Sequence, residues 1–218
     1  LLHSQDKKMA DLSQKNLSTT YNNIGNVYDH LKQPYNALEY HKKALELVMP
    51  DNNIQQIAMY QSNLGSDYAG VFQEIDSIDI PVGKKLFVNS PKELLDTALA
   101  YQFKALDIQT KLNDNFYLFM TLEDIGDIYL LMKDYETSIN YFKKGKQIAE
   151  TFNSNEHISG AHKRLSKVYK EQAKAISDYK IKSDLLAQSV YHHELYSSFK
   201  DSVFSEQKLK DIGKLEAQ

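Results

Sequence analysis

The sequence has no cysteine, no tryptophan and few of the residues that interrupt helices: 4 prolines and 8 glycines among 218 residues. Without cysteine, the chain can form no disulfide scaffold, thiolate metal site or cysteine nucleophile. The scarcity of proline and glycine leaves room for long helices. No apolar run approaches the roughly 18 residues of a membrane-spanning helix. The net charge of −3 gives no reason to expect direct binding of nucleic acid by this segment.

An eight-residue block occurs four times along the chain. Its copies are YNNIGNVY at 21–28, QSNLGSDY at 61–68, LEDIGDIY at 122–129 and a more divergent HKRLSKVY at 162–169. Their final tyrosines are separated by 40, 61 and 40 positions, so the middle interval is one 40-residue unit with 21 additional residues. A fixed period in this range is typical of stacked helical units, which present extended surfaces to partners.

Each block predicts one helix, and a second helix follows it. The apolar residue, the glycine and the tyrosine of a block are three or four positions apart, so they share one helix face. A glycine inside a helix costs about 1 kcal/mol relative to alanine, so Gly25, Gly65 and Gly126 indicate the close approach of another helix. That second helix has small and aromatic residues in alternation: Ala37, Tyr40 and Ala44; Ala98, Tyr101 and Ala105; Ser138, Tyr141, Phe142 and Gly145.

The spacing between block and second helix locates two insertions. It is 9 residues in the first and third units but 30 from Tyr68 to Ala98, which places the 21 additional residues between the helices of the second unit. It is 20 from Tyr169 to Ser189, which indicates a second insertion of 11 residues. In the first insertion, residues 75–89 are compatible with short strands, a hairpin or an irregular loop, packed on the array or used directly in binding.

These residues resemble the tetratricopeptide repeat: a large residue, Leu-Gly and Tyr, followed by Ala, an aromatic residue and Ala. The resemblance extends from about Leu17 to Phe199, with no tryptophan and a 40-residue period in place of the usual ~34. It implies an all-α fold, a right-handed α-solenoid of antiparallel helix pairs with two intra-repeat insertions and a long C-terminal helix. In such an array, the first helix of each pair lines a concave groove.

We therefore expect a single array over 1–218 that is cut from a longer protein. Its parts are the end of a preceding unit at 1–16, a first repeat at 17–50, a second at 53–112 with an insertion near 71–91, a third at 114–152, a degenerate fourth at 154–200 with an insertion near 172–186, and an outgoing helix at 201–218.

The last helix resembles that of bacterial regulators in which such repeats lead to a membrane span and then to a histidine kinase or a helix-turn-helix domain. The matching residues are Tyr196, Lys200, Asp201, Ser202, Phe204, Glu206, Gln207, Lys208, Ile212, Leu215 and Glu216. The resemblance implies the sensory or coupling module of a two-component or transcription regulator. It favours the extracytoplasmic side of a membrane-anchored parent, with a cytoplasmic location as the alternative. A solvated helix that caps the array is the alternative interpretation of this segment.

The polar residues on the first helix of each pair are the candidate binding surface. By their place in the blocks they are Asn22, Asn23, Asn26, Asn63, Ser66, Glu123, Asp127, Lys163, Arg164 and Lys167, with Asp29 directly after the first block. Asparagine can donate to and accept from a peptide backbone, which makes Asn22, Asn26 and Asn63 the first candidates for holding an extended chain. The basic end could bind a carboxylate.

We expect the partner to be a protein or peptide in the groove. Contact with a membrane would come only through segments outside this chain, and a homodimer could form through the C-terminal helix or the 71–91 insertion. The alternative is a structural scaffold or self-association module whose polar helix faces are merely solvated.

Histidines are the candidates for catalysis or metal binding, and their spacing argues against both. His192 and His193 are consecutive, so they point around the helix, and His157 and His162 are five apart, which is poor for one helix face. No phosphate-binding glycine loop or nucleophile elbow is present. We therefore expect no catalytic residue, no cofactor and no metal site, and a protein that is not an enzyme.

Overall fold

The computed structural model describes residues 2–51, 53–75 and 90–216, and in these residues the fold is all-α, as predicted. The helices are α1 (Leu2–His30), α2 (Pro34–Val48), α3 (Ile54–Glu74), α4 (Pro91–Leu112), α5 (Asn115–Leu131), α6 (Tyr135–Thr151), α7 (Asn155–Ala175) and α8 (Tyr179–Glu216), with a short 3-10 turn at Met49–Asp51. Within the described ranges, none of the helices combines the length and the apolar character that crossing a bilayer requires.

The chain divides into two compact units, residues 1–114 with α1–α4 and residues 115–218 with α5–α8. In each unit, every helix packs against the next one along the chain. The connections of two to five residues after α1, α2, α4, α5, α6 and α7 make the helices on either side of them antiparallel hairpins. A core cluster of Ala44, Val48, Ile57 and Tyr60 joins the two pairs of the first unit. In the second unit, Phe119, Ala149 and Ile158 form the corresponding cluster. A further core cluster there consists of Leu130, Phe142, Leu165, Val168 and Tyr169.

The helix ends follow from local sequence. Ser90 accepts a hydrogen bond from the backbone N–H of Glu93, and Pro91 occupies the first helical position of α4. Asp134 caps α6 in the same way. One residue in the left-handed backbone conformation follows the end of each of α1, α4, α5 and α6. These residues are Lys32, Asn113, Lys133 and Asn153.

Three of the four helix pairs repeat one glycine contact. A Cβ atom on Gly126 would lie 2.5 Å from Phe142 Cε1, and one on Gly65 would lie 2.7 Å from Gln102 Cγ. Gly25 faces His41 in the same manner. The residue against the glycine is therefore the one directly after the tyrosine of the second helix, and its chemistry differs from pair to pair.

The tyrosines of the two helices stack on each other instead. The ring centroids are 5.4 Å apart for Tyr28 and Tyr40. The spacing is 5.7 Å both for Tyr68 with Tyr101 and for Tyr129 with Tyr141. In the fourth pair, His192 takes the tyrosine position and stacks on Tyr169 at 5.6 Å. These tyrosines thus serve helix packing.

The structure constrains the predicted boundaries as follows. Residues 76–89, most of the insertion expected near 71–91, lie outside the described residues, so the conformation expected for this insertion stays a prediction. The insertion expected near 172–186 is helical at both ends, because α7 runs to Ala175 and α8 begins at Tyr179. The segments 2–16 and 201–216 continue α1 and α8 without a break.

Candidate binding surface and buried polar cluster

The candidate surface residues contact each other between successive repeats, in the same register in both units. In the first unit, the third residue of the second block, Asn63, donates from Nδ2 to Asn22 Oδ1 at 2.8 Å and to Asn26 Oδ1 at 3.5 Å. The acceptors are the second and sixth residues of the first block. The structure therefore joins Asn22, which is buried, with Asn26 and Asn63 into one amide row.

In the second unit, the same register is ionic. Arg164 is the third residue of its block, and its Nη1 lies 3.0 Å from Glu123 Oε2. Its Nε donates to Asp127 Oδ2, also at 3.0 Å. Glu123 is 2% exposed, and burial raises its pKa to about 8 although Arg164 opposes the rise. Arg164 thus pairs with two acidic residues, buried Glu123 and more exposed Asp127.

The other candidate residues are exposed. Asn23 and Ser66 lie at the surface in the first unit, and Lys163 and Lys167 in the second. The Lys163 Nζ lies 5.9 Å from the centre of the Tyr196 ring on α8. Among the described residues, the candidate positions thus form an amide row on α1 and α3 and an ion-pair row on α5 and α7.

Sequence reasoning missed a buried polar cluster in the first unit, formed by Asp29, His41 and Asp67, which we call the acid–histidine cluster. His41 on α2 is 0% exposed and Asp67 on α3 is 1% exposed. The His41 Nδ1 lies 2.7 Å from Asp67 Oδ2, and its Nε2 lies 3.2 Å from Asn26 Oδ1. Asp29 lies at the exposed end of the cluster.

Burial decides where the protons of this cluster reside. It lowers the pKa of His41, and it raises the pKa of Asp67 to about 8. A neutral imidazole donates from one nitrogen and accepts at the other. Because the Asn26 carbonyl oxygen accepts from Nε2–H, Nδ1 is the accepting nitrogen, and the protonated Asp67 donates to it. Partial burial and the neighbouring Asp67 carboxyl raise the pKa of Asp29 to about 7.

A comparison between the repeats contains the signal that would have revealed this cluster. Asp29, His41 and Asp67 hold the places in their repeats that Leu130, Phe142 and Val168 hold in the second unit. Those three apolar residues belong to a single core cluster there. The equivalent positions in the first unit therefore meet in space too, and they carry two carboxyls and an imidazole instead.

A second buried pair joins α7 to α8. His162 and His192 approach through their Nδ1 atoms at 2.8 Å, and Phe199 stacks on His162 at 5.8 Å. Burial, His162 and two lysines of α6 lower the pKa of His192 to about 4. Burial also lowers the pKa of His162. Both rings are therefore neutral at pH 7, with one Nδ1–H donating to the other Nδ1.

Two of the helix pairs match models of a known protein family. Residues 18–47, which cover the end of α1 and most of α2, match a tetratricopeptide repeat family model. Residues 121–152, from α5 and α6, match a second model of this repeat. No curated protein matches the sequence at a significant level.

Two solved structures resemble the chain. BtubC (BKLC) from P. vanneervenii has a TM-score of 0.62 and 13% identity, over 86% of this chain and 64% of that one. A signal transduction ATPase with numerous domains (STAND) and a tetratricopeptide repeat sensor, from Pyrococcus horikoshii, has a TM-score of 0.57 and 19% identity, over 86% of this chain and 25% of that one. The chain spans less than two thirds of either protein, and at these identities the likeness shows the fold alone.

The predicted resemblance is thus confirmed by two independent matches, one in each unit. Repeats of this family are typically non-catalytic, and their helix pairs serve association with other proteins. The chain therefore contains tetratricopeptide repeats, which are those of a protein–protein interaction module.

Proposed function

We propose that this module binds an extended peptide segment of a partner protein on the α1–α3 face of the first unit. The observation that carries the proposal is the amide row. Asn26 Nδ2 and Asn63 Oδ1 are not buried, and among the described residues they have no hydrogen-bond partner. One is a donor and the other an acceptor. Such a pair suits the C=O and N–H groups of an extended peptide.

The network around these amides supports a pre-organised surface. Asn26 Oδ1 accepts from His41 Nε2, and Asn63 Nδ2 donates to Asn22. Each amide is therefore fixed by one of its ends while the other end faces solvent. Fixing the side chains in advance lowers the entropy lost on binding. Recognition through the peptide backbone would allow many different peptide sequences to bind.

A displayed library of random peptides tests this function. We expect the wild-type chain to enrich peptides that the Asn26→Ala, Asn63→Ala double variant no longer binds. Asn140→Ala is the matched control, because Asn140 is an exposed asparagine on α6 outside this face. Circular dichroism establishes that the double variant keeps its helices. Equal binding of an enriched peptide by wild type and double variant would rule out this face as the binding site.

We further propose that the module is the sensory or coupling part of a bacterial signal-transduction regulator. The Pyrococcus horikoshii ATPase carries its repeats as a sensor. Among the described residues, α8 is the longest helix, with 38 residues, and its side chains are exposed from Phe204 onward wherever they are described. Such a helix is suited to carrying a signal out of the second unit. Hydrogen exchange of α8 with and without a selected peptide tests the coupling, and unchanged exchange would contradict it.

Self-association through α8 is the second candidate, because this helix exposes large apolar side chains. Phe204 and Leu209 are each 70% exposed, and Ile212 is 43% exposed. Sedimentation of wild type and a Phe204→Ser, Leu209→Ser variant distinguishes the two roles. A concentration-dependent dimer that the variant loses supports self-association, and a monomer at every concentration excludes it.

A further inference from the structure

We infer that the acid–histidine cluster is a site for a divalent transition-metal ion such as Zn²⁺, with Asp29, His41 and Asp67 as its three ligands. One atom from each residue, an imidazole nitrogen and two carboxylate oxygens, lies within 4.8 Å of the others. One nitrogen and two oxygen ligands suit Zn²⁺ and its neighbours in the first transition row. Three protein ligands would leave a fourth position of a tetrahedral ion for water or another ligand.

The orientation of His41 is already that of a metal ligand. Metal-binding histidines usually donate their second ring N–H to an oxygen, which fixes the tautomer and presents the other nitrogen to the ion. Asn26 Oδ1 takes this role toward Nε2 at 3.2 Å, so Nδ1 presents its lone pair to the carboxyls. Gly25 fixes the ring from the other side, since there is no room for a Cβ atom at that position.

Asp67 supplies an independent observation. Its side chain is almost fully buried, and while Oδ2 contacts His41, Oδ1 has no hydrogen-bond donor in the described part of the chain. Buried carboxyl oxygens normally have a partner, because leaving one without it costs about 1–3 kcal/mol. The neighbouring Asp29 carboxyl shares a hydrogen bond with the Asp67 carboxyl. An ion held between the two carboxyls would take the place of that proton and give Oδ1 a partner.

The second unit shows that helix packing does not require these polar residues. Leu130, Phe142 and Val168 occupy the same three positions and form an apolar cluster. An apolar set at these positions would spare the first unit the cost of burying two carboxyls and an imidazole. The first unit thus has a polar set at positions where the second unit of the same chain packs an apolar one. A bound ion accounts for all three substitutions at once.

Zinc titration of the chain without any histidine tag tests the site. By calorimetry we expect one equivalent of Zn²⁺, with a rise in the thermal midpoint. Co²⁺ in its place should give a visible absorption band. Asp29→Asn changes an exposed carboxyl and should fold normally, with Zn²⁺ affinity lowered about tenfold or more. His41→Phe with Asp67→Val copies the second unit and should abolish binding.

His193→Gln is the matched control, because His193 is an exposed histidine of α8 outside the cluster. It should bind Zn²⁺ like the wild type. If the wild type binds no Zn²⁺, or if Asp29→Asn binds it with unchanged affinity, the site does not exist. The Asp29→Asn result decides the matter even if the double variant fails to fold. Peptide binding is measured separately, so the two proposals can fail independently.

Discussion

Replacing Gly126 by alanine is a direct test of how the helix pairs pack. The new Cβ atom would lie 2.5 Å from Cε1 and 2.6 Å from Cδ1 of the Phe142 ring. That ring is fully buried and lies among Leu130, Leu165 and Val168, so it cannot move aside without displacing the core of the second unit. The helices α5 and α6 must therefore separate, or the ring must leave its rotamer.

Two opposing terms set the size of the effect. Alanine is favoured over glycine inside a helix by about 1 kcal/mol. Overpacking a closed core costs about 1–3 kcal/mol, and the rigid surroundings of Phe142 place this case near the upper value. We therefore expect Gly126→Ala to lower the free energy of unfolding by about 2 kcal/mol.

Gly160→Ala provides the control within the same unit. A Cβ atom on Gly160 would meet only Arg164 Nη1, at 3.7 Å, which is an ordinary contact. Only the helix-propensity term then applies, so this variant should be more stable than the wild type by up to about 1 kcal/mol. Urea unfolding followed by circular dichroism gives both values. Hydrogen exchange of α5 and α6 assigns the loss to the second unit.

The reasoning is refuted if Gly126→Ala is as stable as the wild type or more stable. A double-mutant cycle adds a second criterion. Phe142→Leu removes the ring edge that the new methyl group would meet, so the two changes together should cost less than the sum of their separate effects. Additive effects would show that the close glycine–phenylalanine contact does not limit stability.

Two further predictions concern buried ionisable groups in the second unit. Folding lowers the pKa of His192 from 6.5 to about 4. The free energy of unfolding should therefore fall by up to about 3 kcal/mol as the pH falls from 6.5 to 4, because the buried pair with His162 takes up its proton less readily than the unfolded chain does. His192→Phe keeps a ring against Tyr169, and urea unfolding at several pH values should show a smaller acid loss; an equal loss would contradict the assignment. Arg164→Met removes the cation beside buried Glu123 and should cost about 2 kcal/mol of unfolding free energy. Glu123→Gln should cost less, and the reverse order would contradict the burial argument.

The fold could be predicted from the sequence because its signals are local and recur. The block repeats at a fixed interval, and its glycine and tyrosine fall on one helix face whatever surrounds them. The sequence pattern does not specify which residue of the second helix meets the glycine. Tyr40 and Tyr101 are the aromatic residues of the small–aromatic pattern, but the residues against the glycines are His41 and Gln102. These two positions come three and four residues after the small residue, and both spacings fall on the same side of a helix. The pattern alone therefore cannot say which of the two meets the glycine.

The candidate surface could be predicted only in part, because its contacts run between repeats. Asn63 and Arg164 each contact the preceding block. These contacts depend on the register between α1 and α3 and between α5 and α7, and local periodicity does not determine that register. The acid–histidine cluster has the same origin, since His41 and Asp67 come from consecutive repeats. The predicted surface residues stay predictions as binding residues until a ligand is measured.

The stacked tyrosines have a spectroscopic consequence. Rings about 5.5 Å apart and nearly parallel couple their electronic transitions, and the coupling falls steeply as they separate. With no tryptophan in the sequence, near-ultraviolet circular dichroism should be dominated by tyrosine, including these pairs. A Tyr→Phe change in one pair isolates its contribution. Three of the four helix hairpins thus each contain an optical reporter of whether the hairpin is closed.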